Sequence, residues 1–176
     1  FDDENDVYET NIISEEKAAS SAKRGTLYHK IFSQIDLKNK NFDVQVEKIV
    51  SKLLDDEKSF VDKSLILSCL KNEFFANISD DDIVLKEREF VAKVDANDGF
   101  DDDKFILQGV ADLIVIRKNE MFLLDYKTGK INEDKLKRYN YQLNLYAEVL
   151  ERAYKIPVTK KILAFIDEEK FIEIWK

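Results

Sequence analysis

One cysteine, one proline, one histidine and four glycines are all that 176 residues contain of these types. A lone cysteine excludes a disulfide framework and any cysteine-ligated cluster supplied by this chain. Cys69 stands in an apolar stretch and reads as a small buried hydrophobe. So little glycine and proline argues against a fibrous or low-complexity chain and for regular elements joined by short polar loops. No apolar run approaches the roughly 20 residues of a membrane-spanning helix. The acidic start FDDENDVYE has neither the basic nor the apolar part of a signal peptide. The chain does not open on methionine, and we read it as a segment of a longer cytoplasmic protein. Hydrophobic residues at 44% are enough for one buried core, so a single domain is expected over residues 21–176 behind an acidic lead-in, residues 1–20.

The net charge of −8 argues at first against a nucleic-acid partner, because phosphate binding is carried by Lys and Arg. Its distribution weakens that objection. Residues 1–20 hold seven acids and one lysine, and residues 77–103 hold ten acids and three bases, so the rest of the chain is net basic. A locally basic face toward DNA is therefore allowed.

Along the chain, Leu27, Tyr28, Ile31, Phe32 and Ile35 recur at helical spacing from about Ser21, with His29 four residues after Gly25 so that the missing side chain leaves space beside the imidazole. Helical patterns follow at 43–54 (Val46, Ile49, Val50, Leu53) and 60–75 (Val61, Leu65, Leu70, Phe74), both read as scaffold. The period then changes. Residues 83–94, 105–116 and 121–128 read as three strands of a meander. DANDGFDDD between the first two lacks the glycine and glutamate positions of a calcium loop and reads as a hairpin turn at Asp98-Gly99. Residues 133–154 give the clearest helix, with Leu136, Tyr139, Leu143, Tyr146, Ala147, Leu150 and Tyr154 in one stripe, and two short strands follow Pro157. The order predicts an α/β (α+β) fold, a mixed sheet flanked by helices.

Chemistry concentrates in GVADLIVIRKNEMFLLDYK, residues 109–127. Gly109 marks a close backbone approach or a bulge. Strand alternation puts Gln108, Val110, Asp112, Ile114 and Ile116 on one face, and Asp125 with Lys127 on one face opposite Leu124 and Tyr126. An acid inside VADLIVI is costly to bury without compensation, and a divalent cation is one candidate. Asp112 and Asp125 are hard oxygen ligands suited to magnesium or manganese, to which His29 adds an imidazole. Lys127 is placed to orient water or meet developing negative charge, as phosphodiester hydrolysis requires. Glu87 and Glu89 share a face; Glu87 reads as a surface acid, and Glu89 stands open between that and an approach to the site. Gln142 and Tyr146 are helix neighbours, and Tyr139 and Tyr141 read as packing residues.

Four motifs, RGTLYHKIF, GVADLIV, LLDYKTG and YQLNLYAEVL, together resemble the PD-(D/E)XK nuclease superfamily, in its RecB-like branch and the AddA-type nuclease domains within it, from about Arg24 onward. The resemblance implies a restriction-endonuclease-like core and metal held by His29, Asp112, Asp125 and the Tyr126 carbonyl. It implies Lys127 as the catalytic lysine, and Gln142 and Tyr146 organising the active site and the DNA strand. It further implies Mg²⁺- or Mn²⁺-dependent cutting of DNA, exonucleolytic on single strands, in double-strand break processing and recombinational repair. The partners implied are DNA, a helicase motor in the parent chain and an AddB-like subunit. The pattern has departures. The Gly-rich loop of an ATP-driven motor is absent, so are the iron–sulfur cysteines of some relatives, and Gly129 stands where the family has an acid after D-Y-K-T. The alternative is a non-catalytic DNA-binding or assembly module that keeps the fold.

Overall fold

The computed structural model describes residues 3–95 and 104–175, with side chains from 18 to 94 and from 105 to 175. The Asp98-Gly99 turn lies outside the described residues. Among the described residues, six helices and five strands run in the order α1 (Asp3–Gln34), α2 (Phe42–Ser51), α3 (Asp55–Lys58), α4 (Lys63–Leu70), α5 (Glu73–Ala76), β1 (Ile83–Asp95), β2 (Lys104–Arg117), β3 (Glu120–Lys127), α6 (Glu133–Tyr154), β4 (Val158–Phe165) and β5 (Lys170–Glu173). A single 3-10 turn, Ile166–Glu168, separates the last two strands. No helix among the described residues is long and apolar enough to cross a membrane.

The strands form one sheet in the order β1-β2-β3-β4-β5. The first three pair antiparallel, α6 carries the chain across to a parallel β4, and β5 returns antiparallel. The sheet is mixed, with helices on both faces, as the alternation of patterns predicted. On one side, Leu27, Tyr28, Ile31, Phe32 and Ile35 pack with α2, α4 and α5 against Leu113, Val115, Leu124 and Tyr126. On the other, Leu143, Tyr146, Ala147 and Leu150 cover Ile114, Ile116, Met121 and Leu123. Each such apolar side chain contributes about 1.5–3 kcal/mol when buried, which holds α6 to its face more firmly than its intrinsic propensity.

Helix boundaries follow local chemistry. The Asn132 side chain accepts the Lys135 N–H at 2.8 Å to start α6. Lys155 in the left-handed region ends it, two residues before Pro157. The helix expected over 60–75 is broken in two, because Asn72 caps a new turn by accepting the Phe74 N–H, and Phe75 rather than Phe74 is buried. At the other end of the chain, α1 begins well before its apolar stripe, so His29 lies late in the helix.

One irregularity positions the site. Strict alternation would keep Asp112, Ile114 and Ile116 on one face; instead Ala111 joins Ile114 and Ile116 on the α6 side, while Leu113 and Val115 face α1. The ladder lacks a pair at Glu87 and Asp112 yet resumes in the same register. Glu87 takes φ 47°, costly for a residue with a side chain. Both strands bulge together here. The paired bulge turns Asp112 toward the α1 side, where regular pleating would have aimed it at α6.

Candidate metal centre

β2 and β3 stay paired only as far as Leu113 and Leu124, after which they part. The gap is filled by chemistry. Asp112 Oδ2 accepts the Tyr126 backbone N–H at 2.8 Å, replacing the missing ladder partner. Its Oδ1 lies 3.3 Å from His29 Nδ1, and His29 Nε2 donates to the Tyr126 carbonyl at 3.1 Å. Phe32 of α1 stacks on the Tyr126 ring, centroids 4.3 Å apart, which fixes that peptide against the helix. Burial works to lower the His29 pKa, but the Asp112 hydrogen bond and the charges of Asp112, Asp125 and Glu87 outweigh it and hold it above its ordinary value.

Alternation in β3 behaves as read from the sequence: Leu124 and Tyr126 face α1, and Asp125 and Lys127 face α6. Asp125 is buried, and burial first, then Asp112, pushes its carboxyl up to about 6 against the opposing pull of Lys127 and His29. Its Oδ2 is 2.5 Å from Lys127 Nζ, an ion-pair distance, but out of hydrogen-bond alignment, so this buried oxygen has no hydrogen-bond partner. The Lys127 amine sits 4.3 Å from the centroid of the Tyr139 ring. A carboxylate and an aromatic face thus fix it from two sides.

Across the bulge from Asp112, Glu87 completes a cluster with His29 and Asp112 whose ligand atoms all lie within 4.8 Å of one another. Glu87 is exposed, as the surface acid read from the sequence would be, and its left-handed backbone also stands at this cluster. Burial and the neighbouring Asp112 raise its pKa, with His29 opposing. Glu89, the residue left open, is exposed opposite Val110 and is not in the cluster. A two-residue turn at Asp98-Gly99 places Leu85 opposite Asp112. The observed register, with Asp95 paired to Lys104, brings Glu87 there. This pairing was the missing signal.

Carboxylate oxygens, one carbonyl and one imidazole suit a hard divalent cation, and the Asp125 Oδ2, which has only its ion pair with Lys127 and no hydrogen-bond donor, keeps lone pairs that such an ion would satisfy.

Gln142 and Tyr146 lie above Gly109 on the neighbouring stretch of β2. Gln142 Nε2 donates to Tyr146 Oη at 3.1 Å, and Phe90 meets the Tyr146 ring edge to face at 4.8 Å. A Cβ on Gly109 would stand 2.7 Å from Phe90 Cζ and from Tyr146 Cζ and Oη, the close approach expected there. Two expectations fail. Space beside Gly25 is taken by Thr128, whose Oγ1 would be 3.2 Å from an added Cβ, rather than by the imidazole. Tyr141 is 68% exposed, on the helix face opposite Leu143 and Tyr146, and does not pack; Tyr139 does.

A parted strand pair with D-x-K on one side and an acid on the other defines a nuclease of the PD-(D/E)XK class, and the chain belongs to that superfamily: its family model matches residues 7–173. Among curated relatives, the chain is similar to an ATP-dependent helicase/nuclease subunit of Clostridium botulinum (strain Kyoto / Type A2), 28% identical over 92% of this chain and 14% of the relative. It is equally similar to the protein of the same name from Clostridium acetobutylicum (strain ATCC 824), 28% identical over 93% of this chain and 16% of the relative. The chain thus spans about one seventh of the length of these relatives.

Proposed function

We propose that this domain is a Mg²⁺- or Mn²⁺-dependent deoxyribonuclease that cuts single-stranded DNA exonucleolytically. Residues 21–176 would form the nuclease domain of a larger cytoplasmic helicase–nuclease protein, working with an AddB-like partner in double-strand break processing and recombinational repair. The similarity to proteins named helicase/nuclease supports the larger setting. The observation that supports the catalytic reading is the cluster of His29, Glu87 and Asp112 where β2 and β3 part, with the buried Asp125–Lys127 pair on the next strand.

A bound divalent ion supplies charge neutralisation at the phosphate and acidifies water. His29, Asp112, Asp125 and the Tyr126 carbonyl would hold it, with Glu87 as an added acid. Lys127 has its ammonium fixed by Asp125 and the Tyr139 ring of α6. In that position it holds the attacking water and offsets charge that builds on the phosphoryl oxygens. Gln142 and Tyr146, bonded to each other beside Gly109, shape the wall against which the strand lies.

The test is degradation of end-labelled single-stranded DNA with Mg²⁺ or Mn²⁺. Parent protein cuts; Asp125→Ala and Lys127→Ala do not. Equal cutting by either variant and the parent sinks the reading. Calorimetry separates the alternative, because a folded chain that binds DNA but no divalent ion is an assembly module rather than an enzyme.

A further inference from the structure

His29 is carried by α1, and α1 is gripped away from His29 by a carboxylate that belongs to neither the acid pair nor the D-x-K strand. Five residues before His29, the Arg24 guanidinium spans Asp167 with both terminal nitrogens; Nη1 to Oδ2 is 2.7 Å. Nη2 also donates to Tyr28 Oη at 3.1 Å, and that hydroxyl accepts the Asp62 N–H at 3.0 Å, which locks the arginine plane. Asp167 sits in the 3-10 turn that follows β4, and its Oδ2 accepts a second donor, the Gly129 backbone N–H. Gly129 is two residues beyond Lys127 and has φ 85°, which glycine adopts without strain. Beside it, Gly25 of α1 comes so close to Thr128 that a Cβ would lie 3.2 Å from Oγ1. Both side chains of the pair are largely buried, at 24% and 21% exposure. A bidentate pair of this kind sets angle as well as distance.

We propose that Asp167 is a positioning residue for the metal centre: by joining Arg24 to the Gly129 amide, it sets the spacing between the His29 imidazole and the Asp125–Lys127 strand end. The inference rests on His29 and Asp125 being metal ligands, as argued above. An amide at position 167 keeps the shape of the side chain but loses its charge and one acceptor. A lysine at position 24 keeps the charge and loses the fork.

The chain has one histidine, so its imidazole gives a single Cε1–H resonance. Titration of Mg²⁺ against that resonance reads the site without turnover. In the parent the signal moves and saturates; in Asp167→Asn the midpoint moves about tenfold higher in Mg²⁺. Arg24→Lys shifts it in the same direction and carries the test if Asp167→Asn does not fold. Asp167→Glu restores part of the affinity. Folded variants that melt lower but keep the parent midpoint overturn the proposal and leave the metal reading standing. A parent resonance indifferent to Mg²⁺ overturns both.

Discussion

Adding one methyl group at position 109 tests how α6 is seated beside the site. In Gly109→Ala the new carbon enters a space bounded by Phe90 Cζ and by Tyr146 Cζ and Oη, each 2.7 Å away. Ordinary carbon contacts are about 3.5–4.0 Å, so both rings must retreat by roughly 1 Å. Neither is free to do so. Phe90 is the cross-strand partner of residue 109 itself, and Tyr146 is packed in the α6 face with its hydroxyl bonded to Gln142. Overpacking of this kind costs about 1–3 kcal/mol, offset by about 0.5–1 kcal/mol from replacing a strand glycine. A net loss near 1–2 kcal/mol lowers the melting temperature by about 2–8 °C for a chain of this length. Thermal denaturation followed by circular dichroism measures it. Phe90→Ala makes room on one side, so the double variant melts higher than the two separate losses add up to, with a coupling above about 0.5 kcal/mol. Cutting falls as well, because the Gln142–Tyr146 pair is displaced. A Gly109→Ala protein that melts with the parent and cuts at the parent rate refutes the wedge.

Glu87→Gln weakens Mn²⁺ binding measured by calorimetry by at least roughly tenfold, whereas Glu89→Gln leaves it unchanged; the reverse ranking removes Glu87 from the centre. Asp125 has its folded pKa raised from 3.8 to about 6, so its ionisation destabilises the metal-free fold as pH rises through that range. Asp125→Asn therefore removes that pH-dependent loss from the metal-free protein while it abolishes cutting; a variant whose stability still falls between about pH 4 and pH 6 as the parent's does contradicts the sign. His29 is also raised, so the melting-temperature gain from added Mg²⁺ grows between about pH 5 and pH 8 as both groups release protons. A gain flat in pH counts against both as ligands. Asp82 behaves oppositely: Arg117 Nε and Nη2 at 2.9 and 2.7 Å and the Ser79 N–H at 2.9 Å hold its carboxyl at about 2. Its contribution of about 1–2 kcal/mol, reduced because Arg117 is a third exposed, is present above about pH 4 and lost as pH falls through about 2. Urea unfolding of Asp82→Asn across that range shows no pH-dependent deficit if the pairing is idle.

Periodicity made much of this fold legible. The stripe from Leu27 to Ile35 and the extent of α6 were legible in spacing, because both helices bury one continuous face. The break at Asn72 did not, since a capping side chain competes with an apolar pattern that runs on through Phe74 and Phe75. In the site, Asp125 and Lys127 were readable from alternation within one regular strand. Asp112 was readable as an anomalous acid, but not its direction, because regular pleating sends it toward α6. The place of Glu87 was hidden for a related reason: its nearness to His29 and Asp112 depends on a cross-strand register and a left-handed backbone, neither of which residue type encodes locally. Asp167 left no pattern at all, since its partners Arg24 and Gly129 are distant in sequence.

That distance has a consequence for how the protein comes into being. His29 meets Tyr126 across 97 positions, and Arg24 meets Asp167 across 143. The β1-β2-β3 meander closes from nearer contacts and the α6 crossover brings in β4, while the Arg24 anchor of α1 needs the turn beyond β4. Contacts of such long sequence separation raise the contact order and slow folding. On the proposed reading, a chain holding its acids but not yet its histidine would not cut, so competence would wait on the contacts of longest sequence separation.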